Sequence, residues 1–160
     1  MELIRVSSER DREALRRIYP LYLHDLSQWS SHYRLDEDGR WQPSYVEDFL
    51  GREQCAAFLI REDGAAAGFA WVGGGDFPRK RPDRDWRLAE FFVAAPFRRR
   101  GIGRAAAAGV LDSFSGSWQL EVIDGNEPAL RFWREVLAAR GTYEEEPGDG
   151  DLVFTFRSVG

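Results

Sequence analysis

A chain of 160 residues with 43% hydrophobic and 14% aromatic content carries apolar surface for one core, so residues 1–160 are expected to form a single domain. Its formal net charge of −5 argues against a general nucleic-acid binder, which needs phosphate neutralisation spread along a surface. No run approaches the ~18 consecutive apolar residues that span a bilayer. The start Met1-Glu2-Leu3-Ile4-Arg5 lacks the basic-then-apolar order of a secretory leader, so the expected location is cytoplasmic, with no membrane partner. Cys55 is the only cysteine, which leaves no internal disulfide and no thiol pair for a metal; beside Ala56 to Ile60 it reads as a buried structural thiol.

In chain order, Leu3, Ile4 and Val6 predict a short strand. Ser7-Ser8 followed by Glu9 to Asp11 makes a helix start before Ala14, Leu15, Ile18 and Leu21; this helix is expected to break near Pro20 and resume as far as Trp29. Ser30 to Gln42 is polar, and Pro43 to Leu50 reads as a second short helix. Ala56 to Arg61 and Ala65 to Val72 flank Glu62-Asp63-Gly64 and predict a hairpin. Gly73-Gly74-Gly75-Asp76 opens a loop in which Arg79-Lys80-Arg81 reads as solvated.

Trp86 to Ala95 predicts a strand with an apolar centre suited to burial on both faces, ended by Pro96. Gly101 to Phe114 carries Ile102, Ala106, Val110 and Phe114 at four-residue spacing, a helix with one apolar stripe. Ser117 to Ile123 is the next strand. Asn126 to Ala139 then sets Ala129, Phe132, Trp133, Val136 and Leu137 on one helical face, stopped by Gly141. Thr142 to Glu145 and Leu152 to Phe156 predict a closing hairpin around Pro147-Gly148-Asp149-Gly150. The sum is a mixed α+β domain, a central sheet with helices on both faces.

The join from Glu90-Phe91-Phe92-Val93 through Ala94-Ala95-Pro96-Phe97 to Arg98-Arg99-Arg100-Gly101-Ile102-Gly103-Arg104 runs strand, loop, glycines, helix. Such a join is an anion cradle, because glycines let backbone N–H groups approach a ligand and a helix N-terminus favours negative charge. A dinucleotide-binding fingerprint would need a βαβ unit, and the preceding strands form a hairpin instead. A nucleoside-triphosphate loop would need Gly-Lys-Ser/Thr where the chain has Gly103-Arg104-Ala105.

With these residues the sequence resembles the GNAT acetyltransferase superfamily, whose coenzyme A signature is Gln/Arg-x-x-Gly-x-Gly/Ala after a central strand, matched by Arg98 to Gly103. Asn126-Glu127-Pro128-Ala129-Leu130-Arg131-Phe132-Trp133 is similar to its second signature, an Asn, an Ala three residues on and an aromatic pair. The resemblance runs over nearly the whole chain. It implies a mostly antiparallel sheet of about seven strands with a splayed parallel pair, and transfer of an acetyl group from acetyl-CoA to a primary amine of a small molecule or peptide in a ternary complex. It also implies that the pyrophosphate lies against the amides of Arg99, Arg100, Gly101, Ile102, Gly103 and Arg104, and that Val93, Ala95 and Asn126 hold the pantetheine arm. Family members often dimerise, so a homodimer is a possible assembly. No metal is implied.

Acetyl transfer to an amine needs a base, an oxyanion donor and a leaving thiolate. The expected oxyanion donor is the backbone N–H of Val93. Glu90, an acid in an apolar strand leading to the loop, is the expected base, with burial raising its pKa; the alternative is a carboxylate at a sheet margin paired with an arginine. The family's usual proton donor is a tyrosine where this chain has Trp133, whose indole gives up no proton; its spacing also suits core packing. Tyr19, Tyr22, Tyr33 and Tyr143 are substitute donors. The acceptor wall implied by the resemblance is Leu21 to Trp41, containing Tyr22, His24, Asp25, Trp29, His32 and Tyr33. Trp133 also raises the alternative of an acyl-coenzyme A binding module with little catalysis.

Overall fold

The computed structural model of the chain describes residues 1–159. Strand β1 (Glu2–Arg5) leads into α1 (Glu9–Leu26), whose N-cap Ser8 accepts from the Asp11 N–H at 3.2 Å and so satisfies one of the free amides of the first turn. The break expected near Pro20 does not occur. Leu15, Ile18, Tyr19, Leu23 and Leu26 are buried as one stripe on both sides of it, and that burial outweighs one missing helical hydrogen bond.

The polar stretch that follows holds an unexpected two-residue hairpin, β2 (Arg34–Leu35) and β3 (Trp41–Gln42). Asp36 builds its turn, accepting from the amides of Asp38 at 3.0 Å and Arg40 at 2.8 Å. The second helix is only α2 (Val46–Leu50), and β4 (Cys55–Glu62) then turns into β5 (Ala65–Gly73). Asp63 (φ 50°) and Gly64 (φ 78°) both adopt left-handed backbone, the geometry of a tight hairpin turn.

After the loop come β6 (Trp86–Val93), a 3-10 turn (Ala95–Phe97), α3 (Ile102–Asp112), β7 (Gly116–Ile123), α4 (Glu127–Ala138), β8 (Tyr143–Pro147) and β9 (Asp151–Ser158). The seven-stranded sheet runs β1-β4-β5-β6-β7-β9-β8, antiparallel throughout except for β6 beside β7. Helices α3 and α4 cover one face, where Trp118, Leu120, Phe154, Val110 and Trp133 meet; α1 and α2 cover the other with Leu15, Tyr19, Phe49, Phe69, Trp71 and Phe92.

Arg79-Lys80-Arg81 is solvated only in part: the Arg79 side chain stays exposed, yet all three residues are tied down. Lys80 Nζ donates to the carbonyls of Arg81 at 3.2 Å and Arg84 at 2.6 Å, and the flanking arginines are tied to the sheet. Cys55 is half-buried, and burial pushes its thiol up to about 11, which keeps it unreactive near neutral pH.

Candidate active site

The parallel strands pair over three positions only, Trp86 with Trp118, Arg87 with Gln119 and Leu88 with Leu120, and then part. A register shift against β5 marks where they part: Trp71 lies opposite Glu90 and Val72 opposite Leu88, which leaves Ala89 as an extra bulged residue. Beyond it, the Ala94 amide donates to the Ala67 carbonyl at 2.8 Å, so alternate amides of β6 face β5. The N–H groups of Phe91 and Val93 therefore face the opening, where β7 no longer supplies acceptors.

A cleft of about 420 Å³ occupies this opening. Tyr22, His32, Tyr33 and Tyr45 wall it on the α1 side, Asn126, Ala129 and Trp133 on the α4 side, and Glu90 stands between them. Of the expected acceptor wall, Tyr22, Leu26, His32 and Tyr33 line the cleft, whereas His24 packs against Trp41, and Asp25 is ion-paired to Arg98. Tyr19 is in the core, its hydroxyl accepting from the Tyr45 N–H at 3.3 Å. Tyr143 lines a separate depression with Arg84 and Arg140, away from Glu90.

Glu90 points to the α1 side, as Phe92 does, and its Oε2 accepts from the Tyr22 hydroxyl. Burial pushes its carboxyl up to about 7, against the opposing pull of the Tyr22 hydrogen bond and of Arg87; Glu121 adds to the rise and Arg79 opposes it. The same burial, with Glu90 nearby, holds the Tyr22 hydroxyl well above the usual phenol value. Of the two sequence readings of Glu90, the margin carboxylate with an arginine partner does not describe what surrounds it: among the described residues no arginine hydrogen-bonds to it, and its one partner is a phenol.

The floor is a buried polar network that sequence reasoning missed. Arg87 Nε donates to Glu121 Oε2 at 2.9 Å, and Gln119 Nε2 donates to Glu121 Oε1 at 2.6 Å and to the Arg79 carbonyl at 2.9 Å. Arg79, at φ 62°, carries its guanidinium to Asp151, a buried carboxylate on β9. The signal was present in Ser117-Trp118-Gln119-Leu120-Glu121-Val122, where strict alternation puts Gln119 and Glu121 on one face of a central strand.

At the loop, Gly101 adopts φ 77° and caps α3, and the amides of Arg99 through Arg104 find no acceptor among the described residues. An added Cβ at Gly103 would lie 3.4 Å from Phe132 and 3.7 Å from Val93, so the helix start abuts both the end of β6 and the face of α4. The arginines differ in role. Arg98 Nε donates to the Val93 carbonyl at 2.6 Å and its other end pairs with Asp25, which fixes the loop to the strand. Arg100 reaches Glu62 and Asp63 at 3.6 Å, and Arg104 pairs with Glu135 at 3.0 Å. Ala95 has left the strand, with its carbonyl taken by the Arg98 N–H at 3.2 Å.

Asn126 caps α4, its Oδ1 accepting from the Ala129 N–H at 3.3 Å, and also lines the cleft. Trp133 is packed edge-on to Phe91 at 5.2 Å and to Phe132 at 5.0 Å. Among the described residues no three His, Cys, Asp or Glu side chains are grouped to hold a metal, and no helix is long and apolar enough to cross a membrane.

Solved structures share this fold. An acetyltransferase from Thermus thermophilus is 20% identical with TM-score 0.64, covering 98% of this chain and 97% of its own. A PaiA N-acetyltransferase from Thermoplasma acidophilum, solved in complex with coenzyme A, is 12% identical with TM-score 0.65, covering 98% and 99%. A ribosomal-protein-alanine N-acetyltransferase from Brucella melitensis is 21% identical with TM-score 0.63, covering 97% and 98%. No curated protein matches the sequence. The family model described as the acetyltransferase (GNAT) family matches residues 17–138. The splayed parallel pair, the glycine-opened helix and that match over most of the chain lead to one statement: this chain belongs to the GNAT acetyltransferase family.

Proposed function

We propose that the chain is a single-domain N-acetyltransferase that moves the acetyl group of acetyl-CoA to a primary amine of a small molecule or peptide, with Glu90 as base. The observation that carries this reading is the position of Glu90: a carboxyl raised to about 7, at the point where two strands part, facing a cleft walled by aromatic rings. Such a group exchanges protons with an ammonium near neutral pH.

The other residues fit a coenzyme A thioester. Six outward amides from Arg99 to Arg104 suit a pyrophosphate, and the outward amides of Phe91 and Val93 suit an extended arm bearing amide carbonyls. Val93 N–H is the donor for the developing oxyanion. Glu90 takes one proton from the ammonium, the freed nitrogen pair forms the C–N bond as the C–S bond breaks, and the second proton passes to the thiolate or to solvent. The coenzyme A complex of the Thermoplasma relative supports the donor, and the N-acetyltransferase names of two relatives support the reaction class.

Release of free thiol from acetyl-CoA across a panel of primary amines tests the reading. Turnover that falls at least a hundredfold in Glu90→Gln, with coenzyme A still raising the melting temperature, is the expected result. A second reading, an acyl-coenzyme A binding module, is favoured by Trp133, an indole without a transferable proton packed among Phe91 and Phe132. It predicts the thermal shift with no turnover of any amine.

A further inference from the structure

We propose that Tyr22 is the positioning residue for Glu90: its phenol engages Oε2 and thereby leaves Oε1 as the single oxygen presented to the acceptor amine. The inference rests on the reading of Glu90 as base. Tyr22 is half-buried at the edge of the α1 stripe, three residues after Tyr19 and four before Leu26, and packs against the core on the sheet. Its ring is clamped by Phe69, edge-on at 5.5 Å, by Phe92 at 5.7 Å and by Tyr19 at 6.2 Å. A phenol held by three rings cannot turn away, and its hydroxyl meets one carboxylate oxygen across 68 residues of sequence.

The other oxygen, Oε1, makes no hydrogen bond to any described residue, and Glu90 lines the cleft. A carboxylate free to rotate would exchange its two oxygens; one pinned by Tyr22 does not. The contact also works against burial, because a donor to the carboxylate favours its charged form. Tyr22 is therefore what keeps a base so enclosed usable near neutral pH.

The groups facing this pair come from every neighbouring element. Tyr19 lies beside it on α1, His32, Tyr33 and Tyr45 in the segment between α1 and α2, Asp48 on α2 and Arg79 in the loop after β5. Arg87 stands on β6, Glu121 on β7 and Asp151 on β9. None of them hydrogen-bonds to Glu90, so removing the Tyr22 hydroxyl takes away its only direct donor among the described residues while leaving those charges in place.

The test is Tyr22→Phe, which keeps the ring. In the free protein, the carboxyl carbon resonance of Glu90, assigned by its loss in Glu90→Gln, should titrate roughly one pH unit higher than in the parent, the scale of one hydrogen bond to a carboxylate. The acidic limb of kcat/KM should move up by the same amount, with most activity regained at alkaline pH. Site-specific 3,5-difluorotyrosine at position 22, a stronger donor, should move both midpoints down. An unmoved resonance in both variants, or a loss of rate equal at all pH values, overturns the proposal. If Glu90→Gln retains full turnover while the resonance still moves, the positioning contact stands and the assignment of Glu90 as base falls instead.

Discussion

Gln119 on β7 holds the loop after β5 by both ends of its side-chain amide: Nε2 donates to the Arg79 carbonyl at 2.9 Å, and Oε1 accepts from the Arg81 N–H at 2.8 Å. It is almost fully buried, at 2% exposure, so neither contact is replaced by water when it is lost. Gln119→Leu is expected to destabilise the fold by about 2 kcal/mol in urea unfolding, the scale of a buried polar group left unpaired. Because Arg79 lines the cleft, KM for the amine should rise more than kcat falls.

Glu90 has the opposite relation to stability. Its folded value, about 7, lies above its ordinary 4.5, so the folded state binds the proton more tightly. Its contribution is complete below about 4.5 and is lost as pH rises through 7. Glu90→Gln, which no longer titrates and still accepts from Tyr22, should match the parent near pH 4 and exceed it by up to about 3 kcal/mol at about pH 8.5. Urea midpoints at the two pH values check this; an equal difference at both would mean that Glu90 is not held neutral by burial.

At Gly101 space and backbone pull apart. Nothing lies within 4 Å of an added Cβ, but φ is 77°. Gly101→Ala should cost about 1 kcal/mol through the backbone alone and leave the thermal shift by coenzyme A intact. Gly101→Glu brings an anion to the six free amides and should abolish that shift. Isothermal titration with coenzyme A separates the two.

Trp133→Tyr places a phenol where the resemblance in sequence leads one to expect it. Trading an indole packed on Phe91 and Phe132 for a smaller ring should lower stability by about 1–3 kcal/mol. A thiol with pKa near about 8.5 leaves as thiolate without obligatory protonation, so kcat should change by less than about fivefold. A rise of more than roughly tenfold in single-turnover rate would show that thiolate departure limits the parent.

The order of elements and the starts of the two helices at Gly101 and Asn126 were legible because both are local. Asp63-Gly64 fixes a turn by backbone preference alone, and Gly101 followed by Ile102 opens a helix whatever else surrounds it. What escaped the sequence depends on partners far away in the chain. Pro20 reads as a break until the burial of Leu15 and Leu23 on either side is known. Arg79 reads as solvated until Asp151, 72 residues on, is seen to hold it. Glu90 was visible as an acid in an apolar strand, but its contact with Tyr22 was not, because spacing along the chain says nothing of a side chain 68 residues away.

The three-position contact between β6 and β7 makes the sheet two panels joined along a short seam, β1-β4-β5-β6 on one side and β7-β9-β8 on the other. By comparison, β7 and β9 are matched at eight positions. On the proposed function, a ligand lying in the opening would lend hydrogen bonds that the backbone itself withholds there, and so would act as mortar between the panels. Amide hydrogen exchange at Phe91 and Val93 should therefore slow when coenzyme A binds, while exchange in the β7–β9 ladder stays as it was. On the same reading, release of coenzyme A would reopen the same amides, and the joint would relax with each turnover.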